Sequence, residues 1–175
     1  MRHSIPLMLA LLILAGLPTA VLATTPASRT VVADLDGVAI SAPEIPDHFC
    51  HDRDFPKIHC FAQGKALVEA LLADDAAHLD SGPGGAAAAS SGDYVVIYSG
   101  LSYSGTYMFV SQNYDTLFVV NWNDRIRSYR SLNGASGTFW TDWYRTGYDL
   151  NFCCGASATW LSSRFDQQIT SVYRN

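Results

Sequence analysis

The sequence predicts an all-β domain of two packed sheets, preceded by a shorter segment with one helix. From Tyr94 onward the chain consists of short runs of aromatic and β-branched residues, and glycine, asparagine and serine turns separate these runs at close intervals. No helical period joins the runs, which is typical of antiparallel strands. A chain of many short strands usually protects its edges by packing two sheets face to face.

The first 23 residues predict a secretory signal. Arg2 precedes the apolar run IPLMLALLILAGL, which is too short to cross a bilayer comfortably, and a small-residue cleavage site follows at Ala23. No later stretch is long and apolar enough to hold the chain in a membrane. We therefore expect a secreted protein, extracellular or in the cell envelope, without a membrane span.

Changes of composition divide the remaining chain into four parts. Residues 24–49 are small, polar and proline-bearing, so we expect them to be extended or disordered. Residues 50–80 hold two cysteines and then KALVEALLADDAAHL, whose leucines at helical spacing predict one short helix. Residues 81–92 are rich in glycine, serine and alanine, which indicates a linker. The predicted β domain covers residues 93–175.

The charge distribution excludes one class of function. The net charge is −5, and the acidic excess lies before Asp93, after which acids and bases balance. A nucleic-acid-binding domain concentrates positive charge on one face or segment. We therefore expect no nucleic-acid partner.

The predicted β domain contains two copies of one pattern. YSGLSYSG at 98–105 is an aromatic residue, four residues, a second aromatic residue, one residue and a glycine, and WYRTGYDL at 143–150 repeats it with leucine for glycine. A hexapeptide closes each copy: NDRIRS at 123–128 and DQQITS at 166–171. Two copies of one supersecondary unit explain this repetition more simply than an active site does.

Together the two patterns resemble the Greek-key motif of the βγ-crystallin family. In that family a Y/F/W-x4-Y/F-x-G hairpin precedes an N/D-N/D-x-x-S/T-S signature, and two motifs make one domain. The resemblance covers residues 93–175 and implies a two-sheet Greek-key sandwich, in which the signature serines hold the hairpins and the signature isoleucines point into the core. Leu150 stands where the motif has a glycine with positive φ, so we expect the second hairpin to fold differently. The residues that match the motif are Tyr98, Tyr103, Gly105, Ile126, Ser128, Trp143, Tyr148, Ile169 and Ser171.

The resemblance also implies calcium ligands in the two signatures. Carboxylate, amide, hydroxyl and backbone carbonyl oxygens there are the hard donors that calcium requires. Arg127 occupies the fifth position of the first signature in place of a hydroxyl, and a cation without an acceptor atom repels the metal. We expect either one degenerate calcium site or none, with Arg127 paired with Asp124 or Asp166 in place of the metal. The candidate ligands are Asn123, Asp124, Arg125, Asp166, Gln168 and Thr170.

The four cysteines, Cys50, Cys60, Cys153 and Cys154, are disulfide candidates, since cysteines of exported chains are usually bridged. If Cys153 and Cys154 lie on a strand, their side chains point to opposite faces and a bridge between them is strained. We therefore favour bridges from this pair to Cys50 and Cys60. Such bridges would staple the amino-terminal segment onto the β domain.

The sequence predicts no enzyme. The cysteines and histidines at 48–60 lie side by side rather than at the spacing of structural zinc ligands. No histidine follows His78, and Cys50 beside His51 is only sequence adjacency.

Two functions remain open. One is a secreted, non-enzymatic βγ-crystallin-like structural module that binds calcium weakly at one degenerate site. The other is a secreted peptidase inhibitor on a similar Greek-key fold, with HDRDFPKIH at 51–59 as its reactive loop and a peptidase as its partner.

Overall fold

The computed structural model describes residues 30–79 and 93–175, which form two β-sheets and one α-helix. The predicted signal peptide and linker lie outside the described residues. Of the helices in the described part, none is long and apolar enough to cross a membrane. The strands are β1 (Val32–Leu35), β2 (Val38–Ile40), β3 (Phe49–His51), β4 (Lys57–Phe61), β5 (Tyr94–Tyr98), β6 (Tyr107–Val110), β7 (Ser128–Leu132), β8 (Gly137–Trp140), β9 (Asp149–Phe152), β10 (Ser157–Ala158) and β11 (Ser171–Arg174), and the helix is α1 (Gly64–Leu79).

The carboxy-terminal part is a two-sheet Greek-key sandwich, as predicted. Strands β5, β6 and β7 of the first motif share a sheet with β10 of the second motif. Strands β8, β9 and β11 of the second motif form the other sheet, and Tyr114 of the first motif bridges to Val172 at its edge. Because each motif contributes one strand or bridge to the other motif's sheet, the two motifs enclose a common core.

The core between the sheets is apolar and closely packed. Ile126 and Ile169, the signature isoleucines, are both fully buried. Trp122 and Phe139 are the largest fully buried side chains of this core. Equivalent positions in the two motifs therefore supply the same kind of contact, which follows from the duplication.

The second hairpin folds like the first, so the expectation drawn from Leu150 is wrong. Leu150 lies in β9, and the hairpin glycine is Gly147, whose φ of 79° matches the 78° of Gly105. Arg145, with φ 62°, takes the place of Tyr103, which also has φ 62°. The repeat is therefore WTDWYRTG at 140–147, and Trp143 and Tyr148 do not hold the motif positions predicted for them.

The arginine in the second hairpin keeps a ring contact. The guanidinium carbon of Arg145 lies 4.0 Å from the ring centre of Tyr173, and that of Arg130 lies 3.9 Å from the ring centre of Tyr103. A guanidinium at this distance is attracted to the face of an aromatic ring. Each motif thus places an arginine over a tyrosine ring. In the first motif the hairpin supplies the tyrosine, and in the second motif it supplies the arginine.

The amino-terminal segment extends the first sheet of the sandwich. Strand β3 pairs parallel to β6, and the order of the eight-stranded sheet is β10-β7-β5-β6-β3-β4-β1-β2. The prediction that residues 24–49 are extended or disordered therefore needs correction for residues 30–49, which form β1, β2, a 3-10 helix at Ala42–Asp47 and the start of β3. The free edge of β6 explains this order, because pairing satisfies its exposed backbone groups.

The predicted helix is present as α1 and packs on the added strands. Leu67 and Leu71 face a small aromatic cluster that includes Phe49, Phe61 and Tyr107. Burial of these side chains ties the helix to both the extension and β6.

The disulfide pairing differs from the one we favoured. Cys50 bonds to Cys60, directly opposite in the antiparallel pair β3–β4, and Cys153 bonds to Cys154. The prediction assumed that Cys153 and Cys154 lie on a strand. They lie instead in the turn between β9 and β10. Strand pairing, rather than a disulfide, joins the extension to the sandwich.

Candidate metal site at the paired signature loops

The two signature loops lie against each other through backbone hydrogen bonds. Asp124 N donates to Ile169 O at 3.0 Å, and Gln167 N donates to Ile126 O at 3.0 Å. Each loop therefore meets the other at the equivalent position. This crossing decides which side chains of one signature reach those of the other.

The signature serines hold the hairpins of their own motifs. Ser128 Oγ donates to Gly100 O at 2.7 Å and accepts from Tyr103 N at 3.0 Å. Ser171 Oγ donates to Asp142 O at 2.7 Å. Both serines are fully buried, so these bonds satisfy hydroxyl groups that water does not reach.

The aromatic motif residues are half-buried in the first hairpin and exposed in the second. The Tyr98 and Tyr103 rings meet edge to face at 5.6 Å in the first hairpin. Trp143 and Tyr148 are instead more than half exposed, at 52% and 59%. Trp143 packs edge-on against Phe118.

Arg127 is paired with Asp166, which settles the choice between the two acids. Arg127 Nε donates to Asp166 Oδ1 at 3.0 Å, and Nη2 donates to Oδ2 at 2.9 Å. This two-pronged geometry matches the guanidinium fork to the carboxylate. Hydrogen bonding to Arg127 lowers the pKa of Asp166, and the same bonds raise the pKa of Arg127. Arg127 thus occupies both carboxylate oxygens, and at the site that Arg127 and Asp166 form between the two loops a fixed cation stands where calcium would bind.

A second site, formed by Asn123 and Asp124 of the first signature and Thr170 of the second, retains a set of oxygen donors. Asp124 Oδ2 accepts from Asn123 Nδ2 at 2.7 Å, and Thr170 Oγ1 lies 3.4 Å from Asp124 Oδ1. Asn123 Oδ1 is buried and has no hydrogen-bond partner within the described residues. A carboxylate, a hydroxyl and an unpaired amide oxygen suit a hard cation, so Asn123, Asp124 and Thr170 are the residues that would hold calcium here.

The charge of Asp124 is not compensated by a cation. Partial burial raises the pKa of Asp124, and the nearby negative charge of Asp142 raises it further, against the hydrogen bonds from Thr170 and Asn123. Ionisation of Asp124 is therefore less favourable in the folded than in the unfolded chain, and a bound cation would offset this cost. A loop with a single carboxylate binds calcium weakly.

The remaining candidate ligands lie on the outside of the loops. Arg125 is exposed and its N donates to Trp122 O at 3.3 Å. Gln168 is exposed and its Nε2 donates to Gln167 O at 2.8 Å. Over residues 30–79 and 93–175, no group of three or more His, Cys, Asp or Glu side chains is placed to hold a metal ion.

The sequence-based prediction did not include Asp142 and Trp160 among the residues of this site. Asp142 supplies the carbonyl for Ser171 and a negative charge near Asp124, and a hydrogen bond from Trp160 helps to lower the pKa of Asp166. Alignment of the second hairpin on Gly147 would have placed Asp142 opposite Gly100 and pointed to the first role. The sequence carries no signal for the second.

The lowered pKa of Asp166 predicts a loss of stability in acid. The Arg127–Asp166 pair stabilises the fold above the unfolded aspartate pKa of about 3.9, and this contribution is lost as the pH falls through the lowered pKa of Asp166. In urea unfolding, Arg127→Gln should therefore be less stable than the wild type at pH 7, and the difference should shrink between about pH 4 and pH 2. Arg125→Gln, in the same loop, is the control and should differ little from the wild type. An Arg127→Gln deficit that stays constant from pH 7 to pH 2 would contradict the pairing.

The strand exchange and the crossed signature loops form two interlocked Greek keys, which is the fold that the family resemblance implies. Solved structures similar to this chain include a βγ-crystallin from Ciona intestinalis, at 15% identity over 47% of this chain and 99% of that chain, with a TM-score of 0.43. A βγ-crystallin from an archaeon is 18% identical over 47% and 98%, with a TM-score of 0.42. A βγ-crystallin domain from Clostridium beijerinckii is 22% identical over 46% and 95%, with a TM-score of 0.40. No protein-family model matches the sequence, and no curated protein is significantly similar to it.

Proposed function

We propose that this chain is a secreted, non-enzymatic βγ-crystallin-like structural module with at most one weak calcium site. The observation that carries the proposal is the Arg127–Asp166 pair, in which a guanidinium bonds both oxygens of the aspartate. The side chains of Arg127 and Asp166 are 33% and 15% exposed, so the pair is partly buried. A fixed cation makes the site of Arg127 and Asp166 independent of metal, whereas the site of Asn123, Asp124 and Thr170 keeps its oxygen donors.

Secretion is supported by the signal-like first 23 residues and by the cysteine chemistry. All four cysteines are in disulfides, and none is free. Disulfides persist in oxidising compartments and are rare in the cytosol.

Calorimetric titration with calcium tests the metal part of the proposal. We expect no more than one binding event, with a Kd of about 10⁻⁴–10⁻³ M, the range of weak extracellular calcium modules. At a calcium concentration ten times the Kd, binding to the native state alone stabilises the fold by about 1.4 kcal/mol. The melting temperature should then rise by only a few degrees over that in chelator. Two tight calcium sites would overturn the proposal.

The peptidase-inhibitor function rests on one observation, the Cys50–Cys60 bridge that closes the 51–59 loop. The middle of that loop faces its own domain, because Asp52 is fully buried and the Phe55 ring packs edge-on against Tyr114 at 5.6 Å. A reactive loop needs its central side chains exposed to the peptidase. The structural module is therefore the better-supported function.

A panel of metallo- and serine peptidases separates the two functions. We expect the purified protein to leave all of them active at a molar excess over the enzyme. Tight stoichiometric inhibition of any one, lost on mutation of exposed Asp54 or Lys57 in the loop, would favour the inhibitor instead.

A further inference from the structure

The two disulfides of this chain lie in opposite surroundings. Cys50 and Cys60 are 0% and 1% exposed, and their bond lies within the apolar core cluster. Cys153 and Cys154 are both exposed, in the turn between β9 and β10. The first bond is shielded from a reagent in solution, whereas the second is open to it.

The turn that carries the exposed pair is ordered by its backbone and has open space around it. Cys154 N donates to Ala135 O at 3.0 Å, and Ala156 N donates to Cys153 O at 2.7 Å. Cys154 and Gly155 have positive φ values of 55° and 92°. A Cβ placed on Gly155 would meet no atom within 4 Å, so the side of the turn next to Cys154 is unobstructed.

The exposed pair lies outside the hairpin and the signature of the second motif. Residues 153 and 154 lie outside both the 140–147 hairpin and the 166–171 signature. The two cysteines join neighbouring residues, so their bond closes no long loop of the unfolded chain and removes little of its entropy. A structural role therefore leaves this bond unexplained.

We propose that Cys153–Cys154 is a thiol-exchange site, whose reaction partners are thiols and dithiols outside the chain. A thiolate attacks one sulfur of the pair, the S–S bond breaks, a mixed disulfide forms, and the electron pair leaves on the neighbouring cysteine as a thiolate. With a dithiol, the second thiol then displaces the bound cysteine. The dithiol is oxidised to a disulfide, and its two protons pass to Cys153 and Cys154, which become thiols.

Access is the reason that this bond reacts and the other does not. Exchange requires the attacking sulfur to approach along the S–S axis, and exposed disulfides are the labile ones in proteins. The folded core blocks that approach at Cys50 and Cys60. The chain therefore contains its own reference bond, measured in the same sample.

Graded reduction of the native, oxidised protein tests the proposal. The sample is first treated with iodoacetamide, then with increasing dithiothreitol, then alkylated with a second, mass-distinct reagent and mapped by peptide mass spectrometry. We expect the second label on Cys153 and Cys154 at a dithiothreitol concentration at least about tenfold below that needed for Cys50 and Cys60. Equal thresholds, earlier reduction of Cys50–Cys60, or first-label alkylation of Cys153 or Cys154 would overturn the proposal.

Two further experiments test whether burial protects Cys50–Cys60 and whether a thiol can react at Cys153–Cys154. In urea, Cys50–Cys60 should be reduced at a lower dithiothreitol concentration, closer to the one that reduces Cys153–Cys154. If urea does not change the difference between these two concentrations, burial does not protect Cys50–Cys60. In Cys154→Ser, the remaining Cys153 should form a mixed disulfide with the monothiol cysteine when cystine is supplied, and Cys153→Ser should do the same at Cys154. Failure of both single variants to form that adduct while folded would show that a thiol partner cannot reach the site.

Discussion

Asp52→Ala is expected to lower the free energy of unfolding by about 2–4 kcal/mol. Asp52 is fully buried in the loop between β3 and β4. Its Oδ1 accepts from Ser111 N at 2.6 Å and from Ser111 Oγ at 2.7 Å, and its Oδ2 accepts from Tyr114 OH at 2.9 Å. Alanine leaves the buried Tyr114 hydroxyl and the half-buried Ser111 donors without this partner, and the loss is largest at Tyr114, which water does not reach.

The effect should be large because Asp52 joins three parts of the fold. The loop belongs to the extension, Ser111 directly follows β6, and Tyr114 bridges to Val172 in the second sheet. Burial raises the pKa of Asp52, although the hydrogen bonds from Ser111 and Tyr114 oppose the shift. The carboxyl therefore contributes through its hydrogen bonds rather than through free charge.

Urea unfolding followed by tryptophan fluorescence gives the measurement, and two variants control it. Asp52→Asn keeps an acceptor for Ser111 and should lose less stability than Asp52→Ala. Asp54→Ala, two residues along the same loop, removes an exposed carboxylate paired with His59 and should cost about 0–1 kcal/mol. If Asp52→Ala is as stable as Asp54→Ala, the extension is not held to the sandwich in this way.

The Greek keys could be predicted because their signals are local and repeated. Ile126 and Ser128 recur as Ile169 and Ser171 at the same spacing from each other, and each pair makes the same contacts in the fold. Because the same pattern occurs twice in the sequence, the fold class could be inferred before any contact was known.

The second hairpin was misplaced by three residues for a chemical reason. Trp143 and Tyr148 imitate the aromatic spacing of the motif, whereas the true second position is held by Arg145. An arginine fits there because it covers the ring of Tyr173. That contact spans 28 residues of sequence and leaves no local pattern.

The extension could not be predicted because it depends on strand pairing across a long separation, and the Cys50–Cys60 bond depends on that sheet. Strand β3 is three residues long and pairs with β6 through Cys50 opposite Met108. No alternation can be recognised in so short a strand, and its attachment to the sandwich depends on the free edge of β6. Once β3 and β4 are paired, Cys50 and Cys60 face each other, so their bond follows from the sheet.

The candidate metal loop was predictable in part. The charge of Arg127 indicated that one loop had lost its calcium ligand, and its pairing with an acid followed from electrostatics. The choice of Asp166 over Asp124 depends on how the two loops cross, through the bonds of Asp124 and Gln167 to the opposite backbone. That crossing belongs to the tertiary structure.

Arg127→Ser is expected to raise the affinity for calcium at least about tenfold, which corresponds to about 1.4 kcal/mol of binding free energy. The substitution removes a fixed positive charge, frees both oxygens of Asp166, and places a hydroxyl where the equivalent residue of the other signature is Thr170. The loop then offers hard oxygen donors without a competing cation. Calorimetric titration should show either a second binding event or a tighter single one.

Matched variants separate a restored site from a general change in charge. Arg125→Ser removes the same charge from the same loop, but Arg125 is exposed and does not contact Asp166, so its calcium affinity should change by less than about threefold, the effect of a nearby surface charge screened by salt. The double variant Arg127→Ser with Asp166→Asn should lose the gain, because a neutral amide replaces the freed carboxylate. Equal gains in calcium affinity in Arg127→Ser and Arg125→Ser would show that the gain comes from the change in net charge alone. No gain in a folded Arg127→Ser protein would mean that this loop lacks the shape of a calcium site, and that its arginine–aspartate pair is a structural element in its own right.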